Sequence, residues 1–388
     1  MASTVFIIAG EVSGDIIGAR LIEAIARLDS SVQFVGVGGD RMIKAGLQPL
    51  FHMKEVSAIG LVEVLSKLPI MFKKLCTVNK SIEDIRPKAL VTIDFPDSNN
   101  RVAKKAKKLG IPAIRYVAPQ VWAWRPRRAQ NMTKFADCLL ALFKFEPPLF
   151  EKHGLKTVFV GHTVVEDGDL ACPSKQEVDG FFKKYNITKS YPLVCLLPGS
   201  RLSEIRRHTP IFLNAVKMLK HKIPDLQVFI PTFDDYLEYI NKLVDETWIK
   251  IGTNHRDKGI AMRTATCALA ASGTVTLELA YTETPAVIAY QVNPITAFIV
   301  KKLIKIKHVS LVNILLKQAA IPEFLQKDCS PKALCNCLSD LIANKTLRDS
   351  QCKSYKKVLA ELALPNAVKP SDKAAACVLD FIHNSTLS

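Results

Sequence analysis

The sequence AGEVSGD, residues 9–15, lies between a short apolar run, TVFII (4–8), and a helical pattern, IIGARLIEAIARL (16–28). A strand that passes through a glycine turn into a helix is typical of the loops with which open parallel α/β sheets bind ligands. The two glycines lack the G-x-G-x-x-G spacing of a dinucleotide site, and the two carboxylates suit hydroxyls, amines or protons better than phosphate. The segment therefore predicts the first ligand loop of an α/β domain without a dinucleotide fingerprint.

The same order of strand, turn and helix returns in the second half of the chain, at LLPGSR (196–201). Strands and helical patterns alternate in both halves, which predicts parallel sheets covered by helices. The expected strands are 4–9, 33–38, 89–94, 113–118, 193–199, 226–231, 266–272 and 285–290. The expected helices are 15–28, 59–83, 98–109, 204–222, 235–246 and 274–282. We therefore expect two Rossmann-like domains that face a cleft, 1–165 and 166–345, followed by a helical tail, 346–388.

The composition is that of a basic globular protein. Apolar residues make up 48% of the 388 residues, charged residues make up 23%, and the net charge is +17. Such a charge favours nucleic acid, phosphorylated substrates or an anionic membrane surface, although a solvated basic surface without a partner has the same composition. The ten cysteines are scattered, which predicts reduced thiols in a cytosolic protein. We expect neither a signal peptide nor a spanning helix, because the apolar runs are too short or contain polar residues.

Two stretches in the second half have the features of a phosphate site. In AASGTVTLEL (270–279) a strand leads through Ser272, Gly273 and Thr274 into a helix, where free N–H groups bind anions. Glu278 lies one turn further, where it can accept bonds from sugar hydroxyls or simply be exposed. Arg201 directly follows the other strand-end turn and is either a phosphate clamp or a surface arginine. Together the two turns indicate a nucleotide diphosphate.

The first half supplies candidates for proton transfer. TIDFPDSNN (92–100) places Asp94 and Asp97 at a strand end before a helix. Asp97 is either a helix N-cap or a general base, and Asn99 can orient a substrate hydroxyl. Metal binding by the two aspartates stays open, although no third ligand is near in sequence. His162 in VGHT is a lone histidine, for which a core or hinge role is the simpler interpretation.

The stretch AIGLVEVLSKLPIMFKKL (58–75) predicts an amphipathic helix with a cationic face. Lysines 67, 73 and 74 lie opposite an apolar stripe. A stripe of this kind packs in a core or faces lipid, and VKKLIKIKH (300–308) repeats the mixture of lysine and aliphatic residues. The stripe with its flanks consists of Leu61, Val64, Leu65, Leu68, Met71, Phe72 and Leu75.

Eight stretches of the sequence match one known family in the order in which they occur. They are AGEVSGD (9–15), IGLVEVL (59–65), PDSNN (96–100), YVAPQVWAWR (116–125), VGHT (160–163), LLPGSR with SEI (196–205), ASGT with TLE (271–278) and VSLVNILL (309–316). The chain closely resembles the lipid-A-disaccharide synthase family, bacterial inverting glycosyltransferases with the two-domain GT-B fold. The family joins UDP-2,3-diacylglucosamine to 2,3-diacylglucosamine 1-phosphate (lipid X). The products are a β-1,6-linked tetraacyl disaccharide phosphate and UDP.

The resemblance implies a role for each candidate residue. Asp97 is the base for the acceptor 6-hydroxyl in a single displacement, and neither a metal nor a cofactor is implied. The implied acceptor side consists of Glu11, Ser13, Gly14, Asp15 and Asn99. The implied donor site consists of Ser200, Arg201, Glu204, Ser272, Gly273, Thr274, Glu278, Asn313 and Gln326. Ser98, Thr163 and Asp169 depart from the family pattern, which affects the expected shape of the pocket rather than the reaction.

The resemblance also implies where the protein works. The acylated acceptor places the enzyme peripherally on the cytoplasmic face of the bacterial inner membrane, with the stripe at 61–75 facing lipid and the oligomeric state open between a monomer and a homodimer. Three other functions compete with this one. They are an epimerase-like GT-B enzyme on an unacylated UDP-amino sugar, a basic nucleic-acid-binding protein and a membrane scaffold without catalysis.

Overall fold

A computed structural model describes residues 3–55, 61–94, 97–122, 127–293 and 307–384. Within these ranges the side chains of residues 61–71, 97–99 and 384 lie outside the description. The chain forms two compact units, the first from residues 1–165 and 362–388 and the second from residues 166–361. The expected tail at 346–388 is therefore divided between the two units.

The first unit is built around a parallel sheet. Its described strands are β1 Thr4–Ala9, β2 Gln33–Gly38, β3 Leu47–His52, β4 Ala89–Ile93, β5 Ala113–Tyr116, β6 Cys138–Ala141 and β7 Lys156–Phe159. Their spatial order is β3-β2-β1-β4-β5-β6-β7. The helices along this part of the chain are α1 Val12–Leu28, α2 Asp40–Lys44, α3 Leu61–Ile85, α4 Asp97–Lys108, α5 Arg127–Met132 and α6 Pro147–Glu151.

The second unit repeats this architecture with a smaller sheet. Its described strands are β8 Leu193–Leu197, β9 Gln227–Pro231, β10 Ile249–Gly252, β11 Cys267–Ala270, β12 Ala286–Tyr290 and β13 Glu323–Leu325, in the order β10-β9-β8-β11-β12-β13. Its helices are α7 Lys175–Lys184, α8 Leu202–Lys222, α9 Asp234–Asn241, α10 His255–Thr264, α11 Val275–Tyr281, α12 Leu311–Leu316, α13 Pro331–Ala343 and α14 Lys345–Leu362. The last described helix, α15 Pro370–Asn384, belongs to the first unit.

The two expected parallel sheets are confirmed. The central strands are nearly continuous apolar runs because helices cover both faces of a parallel sheet, and Val5 to Ala9 of β1 are all buried. Helix α1 packs closely on this sheet through Gly14. A Cβ atom at that position would lie 3.3 Å from the Cβ of Ala9 and 3.5 Å from the carbonyl oxygen of Ile93. The glycine thus sets the distance between the helix and strands β1 and β4.

Both sheets contain a topological switch point, where neighbouring strands lead into helices on opposite sides of the sheet. In the first sheet the switch lies between β1 and β4, whose residues Ala9 and Ile93 are paired. In the second sheet it lies between β8 and β11, where Leu197 is paired with Ala270. Open α/β sheets bind ligands in the crevice at the carboxyl ends of these strands. The fold therefore gives each unit one preferred ligand edge.

Candidate active site

The predicted motifs lie at these two ligand edges. The turn of AGEVSGD follows β1, and the aspartates of TIDFPDSNN follow β4. In the second unit the turn of LLPGSR follows β8, and ASGT follows β11. Each switch point is therefore bordered by two of the loops that the sequence singled out.

The two loops of the first unit touch each other. Ser13, in the first turn of α1, donates a hydrogen bond from Oγ to Oδ2 of Asp94 across 3.4 Å. Asp94 has a left-handed backbone with φ +38°, and its N–H donates to the carbonyl of Tyr116. Asp97 begins α4 three residues later. The side chains of Asp97 and Asn99 lie outside the described residues, so the structure gives their backbone position alone.

Asp15, which the resemblance placed on the acceptor side, caps helix α2 in the structure. The side chain is 5% exposed. Its Oδ1 accepts the N–H groups of Gly39 at 2.8 Å and Met42 at 3.0 Å, and its Oδ2 accepts that of Arg41 at 3.1 Å. These are the N–H groups at the start of α2, which has no intrahelical partner for them. Gly14, also assigned to the acceptor side, is buried against the sheet, so Glu11 and Ser13 are the residues of the implied acceptor set in this loop whose side chains are partly exposed.

The loop after β8 is held by the helix that follows it. Gly199 has φ +142°, and a Cβ atom there would lie 2.5 Å from the Cβ of Glu204. Glu204 Oε2 accepts the N–H groups of Ser200 at 3.1 Å and Arg201 at 3.4 Å. Its Oε1 accepts the hydroxyl of Tyr290 at 3.0 Å. Glu204 thus fixes the loop, while the side chains of Ser200 and Arg201 are exposed at the ligand edge.

Sequence reasoning missed three residues beside this loop: His208, Tyr290 and Gln291. His208 is fully buried and bonds to the carbonyl of Pro198 at 2.8 Å through Nδ1. Its Nε2 accepts the N–H of Gln291 at 3.0 Å. Burial lowers the pKa of His208 from its usual value. In the sequence the residue sits in the basic run RRH, whose pattern indicates an exposed helix face.

The loop after β11 offers an exposed turn. Ser272 Oγ donates to the carbonyl of Val309 at 2.8 Å, whereas Gly273 and Thr274 are exposed. Among the described residues, no atom lies within 4 Å of a Cβ atom built on Gly273, so the space above the turn is open. Glu278 forms an ion pair with Lys258 at 2.5 Å between Oε2 and Nζ, without the alignment of a hydrogen bond.

Asn313 and Gln326, which the resemblance placed at the donor site, form hydrogen bonds with protein groups of the second unit. Asn313 is fully buried. Its Nδ2 donates to the Ile321 carbonyl and to Glu323, both at 2.8 Å, and its Oδ1 accepts the N–H groups of Ala320 and Ile321. Gln326, oriented to satisfy both amide groups, pairs with the backbone N–H and carbonyl of Val292 at 3.2 and 3.3 Å. Both amides are therefore already engaged by protein groups.

The VGHT histidine lies in the interior of the first unit, as a core role predicts. Burial, and then the charge of Arg20, lower the pKa of His162 to about 4. Its Nδ1 accepts the N–H of Val164 at 3.1 Å, and the backbone N–H of His162 donates to the carbonyl of Leu362 at 3.0 Å. The neutral imidazole therefore lies beside a backbone hydrogen bond that joins residue 162 to residue 362.

An aromatic cluster follows strands β5 and β6. The ring of Trp122 meets that of Phe145 edge-on at 5.8 Å, and Phe145 stacks on Phe143 at 5.7 Å. Beneath them Glu146 is 2% exposed and accepts the N–H of Phe143 at 3.0 Å, and burial raises its pKa to about 7. Trp122 is thus partly exposed and packs against Phe145, while Trp124 lies outside the described residues.

Helix α3 changes its character along its length. Phe72 is 62% exposed, whereas Leu75 packs against the core formed by Val78, Ile82 and their neighbours. Leu75, which was expected to face lipid, therefore packs against the core of the first unit. The side chains of Leu61, Val64, Leu65, Leu68 and Met71 lie outside the described residues.

In the described part of the chain, no helix has the length and apolar character needed to cross a membrane. The described residues also bring together no group of three or more His, Cys, Asp or Glu side chains that could hold a metal ion. The side chain of Asp97, one of the two aspartates considered as ligands, lies outside the described residues.

Comparisons with known proteins agree on one family. Residues 5–377 match the family model described as lipid-A-disaccharide synthetase. A lipid-A-disaccharide synthase of Rhodospirillum centenum is 41% identical over 383 residues, which cover 97% of this chain and 94% of that protein. The enzyme of the same name from Gluconobacter oxydans is 39% identical, with 98% and 91% covered.

Solved structures share the fold at low sequence identity. The S. aureus MnaA–UDP co-structure matches with a TM-score of 0.64 and 13% identity, covering 99% of this chain and 97% of that one. Acinetobacter baumannii MurG matches with a TM-score of 0.55 and 14% identity, covering 99% of this chain and 100% of that one. These similarities confirm the expected GT-B architecture.

Proposed function

The chain belongs to the lipid-A-disaccharide synthase family, and from that premise we propose how its two ligand edges divide the reaction. The protein is a glycosyltransferase of lipid A biosynthesis. In our proposal it joins UDP-2,3-diacylglucosamine to 2,3-diacylglucosamine 1-phosphate and releases UDP. The observation that carries the proposal is the position of four family motifs at the switch points of the two sheets.

The first unit activates the acceptor. Asp97 takes the proton of the acceptor 6-hydroxyl, the oxygen forms a bond to the anomeric carbon of the donor, and the bond from that carbon to the UDP oxygen breaks with inversion. The start of α4 after β4 supports this role because the backbone of Asp97 begins at the ligand edge. Ser13 and Asp94, joined at 3.4 Å, form the neighbouring polar surface, and Glu11 completes it.

The second unit binds the donor. Arg201 clamps the diphosphate, whose negative charge grows as the bond to the sugar breaks, and the exposed turn at Gly273 and Thr274 adds backbone N–H groups. Glu278 accepts bonds from the ribose hydroxyls, with Lys258 holding its carboxylate in place. Removing one preorganised donor of this kind typically costs about 3–4 kcal/mol of transition-state stabilisation.

The test of catalysis measures UDP release with both acylated substrates and with each omitted. Asp97→Asn should fold and bind UDP yet lose turnover by a factor on the order of 10² or more. Asp84→Asn, at an exposed position of α3, is the matched control and should keep wild-type turnover. Turnover of Asp97→Asn within a few fold of wild type removes Asp97 from the role of base. Efficient turnover of UDP-N-acetylglucosamine without acyl chains would instead favour an epimerase-like enzyme.

We place the enzyme peripherally on the cytoplasmic face of the inner membrane, with the first half of α3 against lipid. The exposed Phe72 and the net charge of +17 support this placement. Burying one Leu or Phe side chain is worth about 1.5–3 kcal/mol, so a few of them hold a protein at a bilayer.

The test of membrane binding compares two variants. Leu68→Ser with Phe72→Ser should stay folded, need less detergent and leave vesicles that contain anionic lipid. Leu75→Ser, one turn away against the core, should lower the melting temperature and keep vesicle binding. If the double variant melts early without a gain in solubility, the first half of α3 is a core helix.

A further inference from the structure

The contacts of His208 link three loops of the second unit. On one side Nδ1 meets the carbonyl of Pro198, in the loop after β8. On the other side Nε2 accepts the N–H of Gln291, directly after β12. The side chain of Gln291 in turn donates to the carbonyls of Gln326 and Cys329, after β13, at 2.9 and 3.1 Å.

The contacts define the tautomer of the ring. Nδ1 lies 2.8 Å from the carbonyl oxygen of Pro198, which can only accept, so the proton of the neutral imidazole is on Nδ1. Nε2 lies 3.0 Å from the backbone nitrogen of Gln291 and 3.2 Å from its carbonyl oxygen, and in this neutral form it accepts the N–H. Both ring nitrogens are then satisfied, as a fully buried polar ring requires. Burial favours the same neutral form, because it lowers the pKa of His208.

His208 works together with Glu204, one helical turn earlier on the same face of α8. Glu204 holds the N–H groups of Ser200 and Arg201, while His208 holds the carbonyl of Pro198. The ring of Tyr290 lies 5.1 Å from that of His208, and its hydroxyl bonds to Glu204. The loop is therefore held at both of its ends by two neighbouring side chains of α8.

We propose that His208 is a positioning residue, whose Nδ1–H fixes the carbonyl of Pro198 and so orients the loop of Ser200 and Arg201 toward the donor diphosphate. The proposal rests on the donor site proposed above. His208 makes no contact with the reacting atoms in this role. Its effect is on affinity for the uridine diphosphate group, because a misplaced loop weakens every contact that Arg201 makes.

Three substitutions separate the two sides of the ring. His208→Asn places an amide N–H near the position of Nδ1, so it should keep the bond to Pro198 and lose the one to Gln291. His208→Gln reaches the position of Nε2 and should do the reverse, and His208→Leu loses both. Phe212→Leu is the control, since Phe212 stacks on His208 at 5.8 Å and has no bond to the loop.

The measurement is calorimetric binding of UDP to the full-length protein, with the donor KM and kcat measured beside it. We expect UDP binding to weaken about 10-fold in His208→Gln and His208→Leu, and to recover to within about 3-fold of wild type in His208→Asn. A tenfold change corresponds to about 1.4 kcal/mol. The donor KM should follow the same order with little change in kcat, and Phe212→Leu should lower the melting temperature without weakening UDP binding.

Two results overturn the inference. Wild-type UDP affinity in all three His208 variants would make the residue purely structural, and an equal loss in all three would remove the special role of the Pro198 bond. If the wild-type protein itself fails to bind UDP, the proposed donor site is wrong. That result differs from a failure of the His208 proposal, in which the wild-type protein binds UDP.

Discussion

Replacing Asp15 by asparagine separates a capping carboxylate from an acceptor-binding one. The asparagine oxygen still accepts the N–H groups of Gly39 and Met42, but its NH₂ group faces the N–H of Arg41, which the carboxylate accepted at 3.1 Å. One buried donor is left without its acceptor, and the other two bonds lose the help of a negative charge. Because a hydrogen bond to a charged group contributes about 1.5–3 kcal/mol, we expect a loss of about 2–4 kcal/mol in the free energy of unfolding.

The assay is thermal unfolding followed by acceptor kinetics below the transition. A loss of this size in a unit of this length lowers the melting temperature by about 5–15 °C. The acceptor KM and kcat of the folded enzyme should stay within about 3-fold of wild type, since Asp15 is buried beneath the loop.

Glu11→Gln is the matched control, four residues earlier and partly exposed. It should leave the melting temperature nearly unchanged and reduce turnover by about 10-fold or more, the range expected when a positioned polar group is lost. An unchanged melting temperature for Asp15→Asn, together with a large rise in the acceptor KM, would refute the reasoning and return Asp15 to the acceptor site.

Two other predictions concern buried polar groups. His162 has a pKa of about 4 in the folded state against about 6.5 when unfolded, so the unfolded state binds more protons in that range and stability is lost as pH falls from about 6.5 to 4. The loss should approach about 3 kcal/mol in denaturant titrations, and His162→Gln should abolish this part of the pH dependence. Asn313→Ala should destabilise the protein by at least about 3 kcal/mol because it leaves Glu323 and two backbone N–H groups without their amide partner, and equal melting curves for variant and wild type would contradict that.

The sequence predicts those strands that consist of continuous apolar runs. TVFIIA and QFVGVG match β1 and β2 because a strand buried on both faces must be apolar throughout. The edge strand β3, LQPLFH, was missed because Gln48 and Pro49 interrupt the pattern at positions that the structure leaves exposed. Strand β13 is three residues long, too short for any periodicity.

The sequence could predict which loops border each site, because the order of strands and helices along the chain determines that. The motifs at strand ends had to meet at the switch points, and they do. The partners of Asp15 could not be predicted, since they lie 24 to 27 residues away in a turn whose geometry only the fold supplies. The same holds for His208, whose burial depends on how α8 packs beside β12. Polar residues in motifs therefore divide into ligand contacts and loop supports only once the tertiary contacts are known.

The division of the chain into units has a consequence for synthesis on the ribosome. The first unit needs residues 362–384, whose helix α15 meets α1 through an ion pair of Arg27 with Asp372 at 2.6 Å. These residues are synthesised only after the whole second unit. The second unit can therefore complete its folding before the first unit has its last helix. The backbone hydrogen bond between His162 and Leu362 also brings together the two segments of the first unit at the point where the second unit interrupts them. A short linker from residue 165 to residue 362 would therefore give that unit an uninterrupted chain of its own.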